Sequence, residues 1–247
     1  MNPVITVKDL SIGFNGRTVL SGATFDVAAG EIFTILGGSG CGKTTLMPNI
    51  IGLETPISGS IIINGIDVLT ANTATTQHLK EHIGVMFQSG ALMSSMTLLE
   101  NVMLPLEEHT DLPRTIMEET ARLKLTLVGL GQSIHYYPAE ISGGMVKRAA
   151  IARAMALDPG IIFLDEPSAG LDPMTRTELD SLIYQLARNL NITFVIVTHE
   201  LDTIRSIADN AIILNGGKII AKGTVPYLEN DVNIPFVKRF FHPKEST

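Results

Sequence analysis

The sequence predicts an α/β protein built on a mainly parallel sheet. Three observations predict it. Short apolar, β-branched runs recur along the chain. Helical patterns separate most of the later runs, the arrangement of strand–helix–strand crossovers. Two of the runs end abruptly, one in glycines and one in paired acids, and ligands of parallel sheets bind at such carboxyl ends. Composition sets the outer bounds. The 247 residues are 45% hydrophobic and 17% charged, enough apolar side chain for one large core or a core with a subdomain, and too much for a disordered chain. Net charge is −7, the opposite of a basic nucleic-acid binder, so no nucleic-acid partner is expected. A single cysteine allows no internal disulfide and fits a reducing compartment. No spanning segment or leader is expected. The longest stretch free of Asp, Glu, Lys and Arg, 82–99, holds Gln88 and several serines, and the N-terminus has no basic-then-apolar pattern. Mean hydropathy is +0.27 with no Trp, so aliphatic residues carry the core and a partner surface is expected.

The N-terminal third reads as strands, an antiparallel β region. Val4 to Val7 is β-branched, Thr18 to Val27 alternates and ends in the turn signal Ala28-Ala29-Gly30, and Ile61 to Ile63 enters a tight turn at Asn64-Gly65. Ile32 to Leu36 is a run typical of a strand buried on both faces. From about Ser89 to Asp158 no strand is convincing, which predicts an all-helical insert. Pro113 to Leu130 reads as one helix with Pro113 in its first turn and Ile116, Leu123, Leu127 and Leu130 on one apolar face; Gly143 to Leu157 reads as another. Strands return at Ile161 to Leu164, Thr193 to Val197, Ala211 to Leu214 and Lys218 to Ala221. The expected division is 1–88 with 158–230 as a core, made nucleotide-binding by the phosphate loop described next, 89–157 as a helical subdomain and 231–247 as a tail. Ile234 to Phe241 is either a terminal helix on the core or a docking segment.

Chemistry concentrates at the strand ends. After Leu36 comes Gly37-Gly38-Ser39-Gly40-Cys41-Gly42-Lys43-Thr44-Thr45, which fits G-x-x-x-x-G-K-[ST]. Glycines let backbone N–H groups cradle a phosphate, the helix starting near Lys43 adds its positive end, Lys43 brings a charge to the β- and γ-phosphates, and the Thr44 hydroxyl can ligate Mg²⁺. Lys43 and the helix end would also favour a Cys41 thiolate, the alternative being an inert, tightly packed thiol. Pro48 removes a hydrogen bond inside that helix and predicts a kink or a short segment. Ile161 to Leu164 delivers Asp165 and Glu166 to a strand end, pointing to opposite faces. Asp165 suits Mg²⁺, and Glu166 the water that attacks the γ-phosphate. Ser142-Gly143-Gly144 caps a helix with exposed N–H groups, either an ordinary cap or a second phosphate site. A second site on a chain with one phosphate loop suggests that two chains share a nucleotide.

In this order and spacing the chain resembles the ATP-binding-cassette (ABC) ATPases over roughly residues 4–230. The motifs are the Walker A loop 37–45, Gln88, the signature 141–145, the Walker B strand 161–166, Ser168 to Asp172, and His199. The resemblance implies a P-loop NTPase fold, ATP and Mg²⁺ as ligands, and hydrolysis by a head-to-tail dimer. It places Phe14 against adenine, and Gln88 on Mg²⁺ and the γ-phosphate. It puts Asp172 at the dimer interface and His199 on the γ-phosphate, although read alone Phe14 suits a core and His199 a cap. The signature ends in Met145 where Gln is usual, and Gly38 stands where Pro is common. More narrowly, Phe87 to Leu92, Asn101-Val102, Pro105-Leu106, Glu108 to Thr110, Leu112-Pro113 and Met145 resemble the ATPase of Mla-type lipid transporters. That implies an integral membrane permease, MCE-type lipid-binding and accessory subunits, a peripheral place on the cytoplasmic face of the inner membrane, and phospholipid cargo. It also implies a groove after Gln88 for a permease helix; the nearby cluster of Met86, Met93, Met96 and Met103 is either an adaptable apolar surface there or core filling. A transporter of other cargo, or a soluble ABC ATPase such as an iron–sulfur assembly scaffold, are the alternatives.

Overall fold

A computed structural model describes residues 3–14, 16–38 and 40–242. In chain order the elements are β1 (Pro3–Phe14), β2 (Arg17–Ala28), β3 (Ile32–Gly37), α1 (Lys43–Ile50), β4 (Ser58–Ile63), β5 (Ile66–Asp67), α2 (Thr73–Glu81) and β6 (Ile83–Met86). Then follow α3 (Leu98–His109), α4 (Arg114–Leu127), a 3-10 turn (Pro138–Glu140), α5 (Gly143–Ala154), β7 (Ile161–Asp165), α6 (Pro173–Leu190) and β8 (Thr193–Val197). The chain ends with α7 (Leu201–Ile207), β9 (Asn210–Asn215), β10 (Lys218–Thr224), α8 (Val225–Asn230) and α9 (Pro235–Phe241). Two compact units result, residues 1–79 with 193–247, and residues 80–192.

In the first unit β1, β2, β4 and β5 form an antiparallel sheet, as the N-terminal pattern predicts. Asn64 and Gly65 both have positive φ, the backbone a two-residue hairpin requires. β3 lies between β8 and β9, parallel to both, and every residue of β3 and β8 is buried. That is why these strands are continuous apolar runs rather than alternating ones. α1 is short, as Pro48 predicts: it stops two residues after the proline, and the Leu53 N–H bonds the Pro48 carbonyl beyond it. The C-terminal segment is a helix on the core. Val237 and Phe241 of α9 are buried with Leu36, Ile204 and Ile213, and Arg205 Nη2 donates to the Phe241 carbonyl at 2.9 Å.

In the second unit β6 and β7 pair in parallel, and the chain between them holds α3, α4, the 3-10 turn and α5, joined by loops, with no strand, as expected. The helix predicted from Pro113 runs Arg114–Leu127, with Pro113 as its N-cap. Its apolar face is a correction. Ile116, Leu123 and Leu127 are 43%, 57% and 37% exposed, and α4 instead buries Met117, Ala121, Lys124 and Leu125; Leu130, the fourth residue of the expected face, is buried but lies past the end of the helix. A four-residue period marked a stripe, but α3 and α5 pack on the neighbouring face, where smaller or mixed residues sit. The methionine cluster also divides. Met86 and Met103 are core, while Met93 is half-exposed. Two elements carry little sequence signal: α2 buries only Leu79, and β6 is four residues long.

Candidate active site

The phosphate loop joins β3 to α1. Gly37 has φ 154°, and a Cβ there would lie 2.5 Å from both Cys41 Sγ and the Leu214 carbonyl oxygen, so only glycine fits. Gly42 is the N-cap of α1 with φ 102° and no side-chain cap. The first N–H groups of α1 therefore point outward with no capping side chain, the arrangement that binds an anion. Lys43 is buried, and its ammonium donates to the Gly37 and Gly38 carbonyls at 2.8 and 2.9 Å, closing the loop on itself. Thr44 is exposed, Thr45 is half-buried, and Gly40 is exposed with φ 73°. Ser39 lies outside the described residues. Cys41 is buried, as the packed-thiol alternative expects, with Sγ 3.9 Å from Lys43 Nζ.

The same unit brings His199 to this end of the sheet. Ile35 pairs with Val197, and the Thr198 N–H donates to the Ile35 carbonyl at 3.3 Å, so His199 emerges beside the start of the phosphate loop. His199 is exposed, with Nε2 3.9 Å from the Glu200 carboxylate. Phe14, at the end of β1, is 50% exposed, which leaves its ring free for stacking and removes it from the core.

The second unit holds the other candidates. Met86 pairs with Leu164, so Gln88 and Glu166 leave β6 and β7 at the same carboxyl edge. Asp165 is the last residue of β7 and is buried. Glu166 lies past the strand with φ 46°. Gln88 is exposed. Ser142 is the N-cap of α5, its Oγ accepting from the Met145 N–H at 3.3 Å; Ser142 and Gly143 are exposed and Gly144 is buried. A Cβ at Gly144 would meet Thr175 Cγ2 at 2.4 Å, so glycine is required there by packing. Asp172 caps α6, accepting from the Met174 and Thr175 N–H groups at 3.1 Å; the Thr175 hydroxyl first, and then these N–H groups, hold its carboxyl below the usual range.

Sequence reasoning gave Lys147 no role. It is 7% exposed, and its ammonium donates to the Gln88 carbonyl and, at 3.4 Å, to the Glu166 carbonyl. Burial pushes it below the ordinary lysine value, and the Asp165 and Glu166 carboxylates pull the other way. α5 carries Lys147, Arg148 and Arg153 among small apolar residues, and nothing in that pattern singles Lys147 out.

Each unit offers hard oxygen donors of the kind Mg²⁺ takes, the Thr44 hydroxyl in the first and the Asp165 carboxylate and Gln88 amide in the second, and among the described residues no group of three or more His, Cys, Asp or Glu could form an all-protein cage. Mg²⁺ typically keeps water and phosphate ligands instead.

A phosphate loop on a parallel strand, an acidic strand end and a serine-capped Gly-Gly helix define a P-loop nucleoside triphosphatase of the ATP-binding-cassette class. The chain belongs to the ABC transporter family, whose model matches residues 20–169, and it is an ATPase. It is 39% identical over 221 residues to the intermembrane phospholipid transport system ATP-binding protein MlaF of Haemophilus influenzae, covering 90% of this chain and 84% of that one. MlaF of Escherichia coli is 38% identical, covering 96% and 88%. The probable ribonucleotide transport ATP-binding protein mkl of Mycobacterium leprae is also 38% identical, covering 98% and 70%. Among solved structures, cbiO1 of Clostridium perfringens, part of an ABC transporter complex, matches with TM-score 0.83 at 30% identity, covering 91% and 89%. A dimeric ATP-binding cassette in a post-hydrolysis state, bound to ADP and Pi, matches with TM-score 0.80 at 28% identity, covering 89% and 98%.

Proposed function

We propose that this ATPase powers a phospholipid transporter. The observation that carries the reading is the identity to two MlaF proteins across more than four fifths of their lengths. The Met-ending signature and the Gln88 to Leu92 segment support it from the sequence side. Among the described residues no helix is long and apolar enough to cross a membrane, so in this reading a separate permease holds the chain at the cytoplasmic face of the inner membrane. MCE-type and accessory subunits complete the system. A second cargo reading has its own support, since the mycobacterial relative is named for ribonucleotide transport at similar identity. Co-purification from detergent-solubilised membranes with analysis of the bound small molecules separates the two: phospholipid supports the first, nucleotide the second.

Two chains would meet head to tail, each ATP bound by Gly37 to Thr45 of one and Ser142 to Gly144 of the other. Phe14 stacks on adenine. Lys43 and the first N–H groups of α1 hold the β- and γ-phosphates. Thr44, Asp165 and Gln88 would hold Mg²⁺, which would supply charge neutralisation on the phosphates. Glu166 accepts the proton of the attacking water, and His199 donates to the γ-phosphate. Glu166→Gln keeps shape and loses the base, so it is expected to bind ATP normally and hydrolyse it ~10²–10⁴-fold more slowly. Near-normal turnover would remove Glu166 from the mechanism.

A further inference from the structure

α5 opens at Ser142 and carries Lys147 about one turn in. The Lys147 ammonium reaches two main-chain carbonyls that lie 59 and 19 residues away, those of Gln88 and Glu166. These are the turns after β6 and β7. Because the acceptors are backbone atoms, the contact fixes the path of each turn, and with it the direction of the Gln88 and Glu166 side chains. The Glu166 backbone is left-handed, a conformation that persists only where its surroundings hold it. The Gln88 turn is gripped at its far end too: Arg153, further along α5, donates to the Gly90 and Ala91 carbonyls at 2.9 and 2.8 Å. A Cβ on Gly90 would come within 3.2 Å of Val146 and 3.4 Å of Ala150, so the helix lies directly on the turn.

A buried ammonium is a costly way to fill this space. An apolar side chain of similar length would fill it without desolvating a charge, so stability alone does not explain a lysine here. We propose that Lys147 is a positioning residue for hydrolysis. It ties the helix that begins at Ser142 to the two turns carrying Gln88 and Glu166. Movement of that helix, when Ser142 to Gly144 engages the nucleotide of a second copy, then reorients Gln88 and Glu166 within its own chain. The inference rests on the roles given above to Ser142, Gln88 and Glu166, and it adds a path by which one ATP site of the pair informs the other.

The test compares Lys147→Met, Lys147→Arg and Glu166→Gln in the full chain. Melting temperature, MgATP binding, kcat, KM and the cooperativity of hydrolysis in ATP concentration are measured for each. Lys147→Met is expected to keep its melting temperature and its MgATP affinity while kcat falls ~100-fold, the effect of an ångström-scale misplacement of catalytic groups, with cooperativity lost. Lys147→Arg, which keeps a donor cation, is expected to recover most of kcat. A Lys147→Met protein with wild-type kcat and cooperativity overturns the proposal, as does one whose lost activity matches its lost folded fraction. If the Met variant does not fold, Lys147→Gln is measured in the same way. Lowered kcat at unchanged KM supports the positioning role, whereas wild-type kcat, or failure to fold again, overturns it. Glu166→Gln separates the two layers of argument. If that variant hydrolyses ATP at the wild-type rate, the reading of the site fails. If it is inactive while Lys147→Met is normal, only the coupling fails.

Discussion

The phosphate loop and the signature helix are built alike and held differently. Both are glycine-rich turns that open a helix, and both carry a buried lysine within its first turns. Lys43 is held by Gly37 and Gly38, five and six residues away. Lys147 is held by residues 59 and 19 positions distant. The N-terminus of α1 has a left-handed glycine cap and no capping side chain, whereas α5 is capped by Ser142 Oγ. The first is a local device complete within nine residues. The second works only when distant strands have come together. Local devices can be read in a sequence, and assembled ones cannot.

The largest effect should come from the local device. Lys43→Ala is expected to abolish hydrolysis and to weaken MgATP binding by the isolated chain, because no other group in that loop brings a full positive charge. Retained affinity in a nucleotide-binding titration would show that the loop N–H groups suffice. In the helical segment, Leu125→Ala should cost about 2–5 kcal/mol, since Leu125 is fully buried. Its neighbour Leu123 is 57% exposed, and Leu123→Ala should stay within about 0.5 kcal/mol. Denaturant titration of the pair checks which face of α4 is the core. Equal costs would restore the apolar stripe read from the sequence.

Ser142→Ala removes the cap of α5 and should cost about 1 kcal/mol. It should lower turnover and leave MgATP binding by a single chain intact, the reverse of Lys43→Ala. Loss of single-chain binding would break the contrast between the two turns and the shared-site reading with it. The smallest effect concerns the capping box at α3. Glu100 accepts from the Thr97 N–H and hydroxyl at 2.8 Å, which holds its carboxyl below the usual range. That depressed value gives stability above the unfolded-state pKa, lost as pH falls through the folded-state value. Thr97→Ala should therefore flatten the acid limb of the stability curve slightly, a change visible in melting temperatures between neutral and acid pH.

Several features were legible because single segments determine them. β3 and β8 are apolar runs because both of their faces are buried, and the run itself announces this. The phosphate loop is legible because its glycines, lysine and threonine act on one anion from one turn. Pro48 shortens α1 through its own missing N–H. Tertiary structure decided the rest. It turned the Ile116, Leu123 and Leu127 face of α4 to solvent, because the position of α3 and α5 determines which side of a helix becomes core. It buried Cys41 beneath its own loop and Met86 and Met103 in the core. It gave Glu166 a left-handed backbone that no side-chain pattern encodes. Above all it gave Lys147 its partners, since a buried ammonium is defined by the carbonyls the fold brings to it, and those come from strands far apart in sequence.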